Sequence, residues 1–423
     1  MNTTYLEVLQ IRNDMESLAG LAKALCPTVQ NVQNYEASAI GADSNPLFRA
    51  IAQETEAHEK KKEYIKQLVE VKIQHTRMDQ LASESCPSSG SSKLIGALLK
   101  LDEFGFADED LKWDTMQKRV NAIYQSRSVW VELKHIPDSG LLCRKKPVGF
   151  RAPSCLGYIK DVDGDNGARF GIVFDSPASE CARSELFTLR ELYERRSKPS
   201  LSARILMCAV LAQCIHSFHA VNWLHKGLQS SNIIFFASSA NGQDLSRLFV
   251  SGFELSRPST VDKMTEKPTF DPFTDIYRHP DAQSSQMNGN YRKSYDIYSL
   301  GIVLIEIAFW KRIEDIMGVE SLARIKPSAL REVQSWLLGR PLSQSAALPP
   351  ISLAKGPCLQ QVAPECNDAF RDVIECCLTA SNAEKPQYLG ESRSSIALRL
   401  QNFLEQDIVK RLKDIADALQ GHT

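Results

Sequence analysis

No charge of either sign dominates this 423-residue chain: 50 basic residues stand against 51 acidic ones, a formal net charge of −1. Without a global field there is no basic surface to gather nucleic acid, and no nucleic-acid partner is expected. The sequence also lacks any C-x-x-C pair. Its eleven cysteines are scattered, apart from the adjacent Cys376 and Cys377, and their odd number suits no closed disulfide framework. Reduced, buried thiols of an intracellular protein are the expectation. The opening residues, MNTTYLEVLQIRND, lack the basic-then-apolar order of a signal peptide. The longest apolar run, Leu300–Trp310, is short and contains Glu306, so no transmembrane segment is expected and the cytoplasm is the expected compartment. At 43% apolar residues a sizeable core is within reach, and the length suits about two or three domains.

Residues 1–82 read as helical. Val8, Ile11, Met15, Leu18, Ala22 and Leu25 repeat at the spacing of one helix face, and Glu54–Ile73 forms a second, highly charged helix. Its Glu59–Lys62 run, EKKK, reads as a solvated face because acidic residues interleave with the lysines. The small, polar stretch ASESCPSSGSSK marks a linker at 83–94. Asp110–Tyr124 again reads helical, through Leu111, Met116, Val120 and Ile123. Strands are expected at Ser128–Ile136, where apolar and polar residues alternate, and at Tyr158–Ile159 and Arg169–Phe174, joined by the turn-rich DVDGDNGA. Asp175-Ser176-Pro177 ends that sheet. From Glu185 the pattern is mostly helical: Leu186–Arg195, Leu201–Val221, Tyr298–Phe309, Leu330–Leu338, Asn367–Leu378 and Ile396–Leu419. The fold class is therefore α+β, a small sheet region at 95–180 followed by a larger helical region at 181–423.

Between the Leu201–Val221 helix and a buried strand at Ile233–Phe236 lies WLHKGLQSSNIIFF, residues 223–236. His225, Lys226, Gly227 and Asn232 fall on the frame H-R-D-L-x-x-x-N of a protein-kinase catalytic loop, with Gly227 where the aspartate belongs. Further landmarks follow in order. Gly252-Phe253-Glu254 stands where D-F-G would be. Tyr277–Asp281 resembles Y-x-A-P-E, and Tyr295–Gly301 resembles S-D-V-W-S-x-G. Cys377-Leu378 and Lys385-Pro386 resemble the C-L and R-P near the end of the fold. Residues 125–390 thus resemble a protein kinase, which implies a bilobal fold with a β-rich N-lobe and a helical C-lobe. The wording, "WLHKGLQSSNIIFF" and "VSGFELSRP" above all, is similar to the kinase-like half of filamentous-fungal proteins. Many of those begin with a HeLo-type helical domain tied to prion propagation, incompatibility and cell-death signalling. The first 110 residues here are shorter than such a domain.

Phosphoryl transfer needs carboxylates to hold metal ions and to accept the hydroxyl proton. Gly227 has no side chain, Lys226 beside it is a cation, and no aspartate lies between Asp175 and Asp244. The metal-holding aspartate is replaced by Gly252, leaving Glu254 as a displaced candidate. Asn232 matches the remaining ligand, and its other reading is a hydrogen bond to the loop's own backbone. Lys134 is placed as the phosphate lysine, or else is a solvent-facing strand lysine. No glutamate follows Lys134 before Glu180, and no G-x-G-x-x-G precedes it. His225 and Asp296 have shape-holding roles in the resemblance, and Asp281 with Lys385 would form a weakened version of a Glu–Arg pair. ATP and Mg²⁺ binding is accordingly doubtful. The reading is a pseudokinase serving as a signalling or interaction module, the alternative a divergent, slow Ser/Thr kinase. Protein partners are expected through the N-terminal helices or the C-terminal one, where Leu400, Leu404, Ile408, Leu412, Ile415 and Leu419 form a stripe that otherwise packs within the chain.

Overall fold

A computed structural model describes residues 98–100, 103–106, 119–134, 148–163, 167–176, 185–237, 244–253, 257–258, 270–283, 290–319, 321–342 and 358–420. The helical readings at 1–82, the linker at 83–94 and Glu254 lie outside the described residues. What is described is a mixed helix-and-sheet structure, a curled sheet first and helices after it.

The sheet is antiparallel, in the order β1-β2-β3-β5-β4, from β1 (Phe104–Phe106), β2 (Arg119–Tyr124), β3 (Arg127–Lys134), β4 (Cys155–Asp163) and β5 (Gly167–Asp175). The hairpin expected around DVDGDNGA is β4–β5, and its second strand ends at Asp175. The helix expected over Asp110–Tyr124 is overturned from Arg119 onward, where β2 pairs with β3 through Val120↔Val131 and Ala122↔Val129. The spacing of Val120 and Ile123 suits a helix, but RVNAIY packs as a strand: Ala122 is buried while Ile123 is exposed. The turn between the strands uses Gln125 and Ser126, both at positive φ (48° and 64°), without the glycine or asparagine that marks such a turn in a sequence. Both faces of the sheet are covered. Val129, Val131, Ile159 and Val173 form a cluster on one face. Trp130, Ile172 and Phe174 join the main core on the other, with Trp130 stacked on Phe174 at 4.4 Å between ring centroids.

The helical region is built around two buried helices. Leu201–Ala220 starts at Ser200, whose hydroxyl accepts from the Ala203 N–H. Of Leu201, Ile205, Cys208, Ala212 and Ile215, whose spacing in the sequence predicts one apolar face, all but the half-buried Leu201 are buried, but so are Met207, Leu211, Cys214 and Phe218. The helix is apolar all round rather than amphipathic. It is the one described helix long and apolar enough to cross a membrane, yet here it is a core helix carrying buried Arg204 and His219. Lys293–Phe309 is longer than its sequence signature and buried from Ser294 to Ala308. The single helix expected at Leu330–Leu338 is two short ones, Pro327–Leu330 and Val333–Leu337. The one expected at Leu186–Arg195 is a strand, β6 (Glu185–Thr188), then a helix, Leu189–Arg195, set off by a capping box between Thr188 and Glu191.

At the C-terminus, Arg393–Phe403, a π-helical stretch at Leu404–Lys410 and Arg411–Gln420 run on as one continuous element. Leu400, Leu404, Ile408 and Leu412 are buried in the main core, and Lys413 and Gln401 donate to Gln213 and His216 of the Leu201–Ala220 helix. These four residues of the apolar stripe thus pack within the chain, and Ile415 and Leu419 are partly buried against the same core. Cys208, Cys214 and Cys377 are free and buried, and burial pushes their thiols up, as suits inert packing residues.

Candidate functional site

Three short pairings frame the loop at 225–232. β7 (Trp223–Leu224) enters it and pairs with β10 (Arg257–Pro258), while β8 (Ile233–Ala237) leaves it between β6 and β9 (Phe249–Val250). The loop is tied from beneath by Asp296, at the start of the buried Lys293–Phe309 helix. Its carboxylate accepts the backbone N–H of His225 and of Lys226, each at 2.8 Å, and the Tyr291 hydroxyl at 3.0 Å. The Nε2 of His219 lies 3.3 Å from it. Burial alone would raise the Asp296 carboxyl, but the interactions with His219 and with His225, including its backbone N–H, hold it below the usual range. Burial keeps His219 itself below the ordinary histidine value.

His225 is buried, with a fixed tautomer. Its Nε2 reaches the Ser251 carbonyl at 2.9 Å, so it carries the proton, and its Nδ1 accepts the Gly227 N–H at 3.2 Å. Phe253 packs 4.9 Å from the His225 ring and edge-on to Phe218. Lys226 adopts a left-handed conformation (φ 63°), with its ammonium 5.4 Å from the centre of the Tyr291 ring. A second chain of contacts runs from the loop to the long helix. Ser230 donates to the Tyr277 hydroxyl at 3.0 Å, and that hydroxyl donates to Oε1 of Glu306 at 2.7 Å. The same oxygen accepts the Ile313 N–H, while burial pushes the Glu306 carboxyl up to about 8.

The residues that would do chemistry are arranged differently. Asn232 donates to the Gly227 carbonyl at 2.6 Å, knitting the loop to itself. Its other amide atom, Oδ1, accepts from the guanidinium of Arg119 at 2.7 Å. Arg119 reaches across from β2. It also donates to the Ser231 carbonyl and to the Ser251 hydroxyl, both at 2.8 Å, and pairs with Glu132 at 3.6 Å. The Ser251 hydroxyl in turn donates a hydrogen bond to the Asn232 carbonyl at 3.1 Å.

Among the described residues, the donor set around the loop does not fit an Mg²⁺·nucleotide complex. The amide oxygen that would face a metal is bound to a guanidinium, Gly227 and Gly252 bring no carboxylate, and among the described residues no three His, Cys, Asp or Glu side chains gather as a metal site. The Lys134 backbone lies at the end of β3, opposite Phe170. Asp281 and Lys385 do not pair: Asp281 is 71% exposed beside His279, and the Lys385 ammonium binds Asn382. Arg119 was not legible as a site residue, because it sits inside Asp110–Tyr124, whose spacing reads as helix.

Two curated proteins are similar to this chain. The "Mixed lineage kinase domain-like protein" of Mus musculus is 26% identical over 245 residues, 56% of this chain and 44% of that protein. The "Probable serine/threonine-protein kinase PBL20" of Arabidopsis thaliana is 26% identical over 172 residues, 41% of this chain and 38% of that protein. The chain thus spans less than half the length of either relative, and the similarity supports a kinase-like domain. A family match covers residues 175–418, more than half of the sequence and all of the loop described above; the chain belongs to the family described as a domain of unknown function, DUF7580.

Proposed function

We propose that the described part of the chain is a bilobal protein-kinase-like domain that transfers no phosphate, a pseudokinase used as a signalling or interaction module. The curled sheet is its N-lobe and the helices from Leu189 onward its C-lobe. The order of elements supports this reading, as do the loop motif and the two kinase-named relatives. One observation carries the loss of activity: where two carboxylates would hold metal and accept a proton, Gly252 and Gly227 abut Asn232, and Asn232 is engaged by Arg119. What survives, His225 and Asp296 with their backbone contacts, holds the loop's shape.

In this reading residues 1–82 supply the partner contacts, since the C-terminal stripe is consumed by the C-lobe. A role in fungal incompatibility or cell-death signalling rests on the sequence resemblance, and leakage of loaded liposomes by the full chain is its test. Thermal-shift titration of the full chain with ATP, with and without Mg²⁺, tests the domain itself. The expected result is no saturable, Mg²⁺-dependent rise in melting temperature. Such a rise would favour a slow kinase, in which Glu254 is the candidate metal ligand.

A further inference from the structure

We propose that Arg119 is a built-in cation latch: its guanidinium takes the place of a metal ion between the sheet and the loop and holds the cleft closed. Three acceptors converge on it from two separate segments, the Ser231 carbonyl and Asn232 Oδ1 on the loop and the Ser251 hydroxyl on the strand exit. A carbonyl, an amide oxygen and a hydroxyl are oxygen donors of the kind a hard cation collects. Here a planar cation with fixed donors satisfies all three.

Glu132 supplies the other half of the latch. It is 1% exposed, directly opposite Arg119 in the β2–β3 register, and neither of its carboxylate oxygens accepts a hydrogen bond among the described residues. At 3.6 Å from Arg119 it balances charge without a hydrogen bond. The guanidinium is thus anchored to the sheet by charge and to the loop by hydrogen bonds. Swinging the sheet away would strip Arg119 of three hydrogen bonds and leave Asn232 Oδ1 without its partner. Opening therefore requires something that re-satisfies the guanidinium. The inference stands on these contacts and not on the catalytic reading, so either can fail alone.

Hydrogen–deuterium exchange of the full chain tests it. Deleting Arg119 alone would strand a buried carboxylate, so two other variants are used. Arg119→Lys keeps the charge but presents a point donor, and the double variant Arg119→Met/Glu132→Leu replaces the pair with apolar side chains. Arg312→Ala, which removes an arginine from surface ion pairs with Glu194 and Asp315, is the control. In both latch variants, amides of 119–134, 231–233 and 250–252 should exchange about tenfold faster or more, as loss of charge-assisted hydrogen bonds implies. The helices 201–220 and 293–309 should keep the wild-type rate, and the control should match wild type throughout. Unchanged exchange at those amides would overturn the latch. So would equal acceleration in the two core helices, since Arg119 would then serve only global stability.

Discussion

A Cβ built on Gly252 would stand 2.2 Å from Nδ2 of Asn232, inside a side chain that is itself hydrogen-bonded on both ends. Gly252 also has φ +81°, where an L side chain is strained. Gly227 is less constrained: a Cβ there would meet the Gly252 carbonyl at 3.1 Å and Asn232 Nδ2 at 3.6 Å. Packing and backbone conformation therefore hold position 252 to glycine, whereas position 227 has room for a Cβ at the cost of a small shift.

The first prediction is an order. Gly252→Ala should cost about 2–4 kcal/mol, from strain and collision together, and Gly227→Ala about 1 kcal/mol. Urea unfolding midpoints measure both. Equal costs, or the reverse order, would mean that Asn232 moves aside easily and that the cleft is softer than its hydrogen bonds indicate.

Asp296, beneath the loop, accepts from the His225 and Lys226 N–H groups and the Tyr291 hydroxyl and lies beside His219. Asp296→Asn places an amide N–H against backbone donors and should cost about 3 kcal/mol or more. The folded carboxyl is held below its ordinary value, so its contribution is present above the unfolded pKa of about 3.9 and lost as pH falls through the folded one. Stability measured from neutral pH into acid should fall less steeply in the variant. An acid limb identical to wild type would remove Asp296 from this account.

Glu306 titrates in the opposite sense. Its folded value, about 8, lies above the unfolded one, so the stabilising contribution is complete below about pH 4.3 and is lost as pH rises toward 8. Across that window one such group tilts stability by up to about 1.4 kcal/mol per pH unit. Glu306→Gln keeps an oxygen for Tyr277 and Ile313 and cannot ionise. It should flatten the decline, and its advantage over wild type should grow from pH 5 to pH 8. A wild-type curve that is already flat there would contradict the assignment.

Ile408 sits in the π-helical stretch with no exposure, packed into the main core. Ile408→Ala should cost about 2–5 kcal/mol. A loss under about 1 kcal/mol would show that the C-terminal element is a dispensable appendage.

Periodicity served where a segment has one open face or one strong cap. The Asn367-capped helix at Asp368–Leu378 and the β4–β5 hairpin both announce themselves. It failed where tertiary packing decides. RVNAIY carries helix-like spacing but is pinned as a strand by Val120↔Val131, and its turn at Gln125-Ser126 has no marker residue. The loop motif pointed to His225, Gly227 and Asn232, and the Tyr295–Gly301 motif to Asp296, because each frame is local. Arg119 meets Asn232 only through folding of residues more than a hundred positions apart, and no local pattern encodes such a contact. The same holds for Asp281 and Lys385, where the residue types suggest a pair but Asp281 lies beside His279 and Lys385 donates to Asn382.

The most direct test is phosphate turnover. The full chain is incubated with γ-labelled ATP and Mg²⁺, and label is followed into the protein, an added Ser/Thr peptide and free phosphate. The account predicts no transfer or hydrolysis above a protein-free blank. Turnover that is abolished by Asn232→Ala, with the fold of that variant intact by circular dichroism, would contradict it.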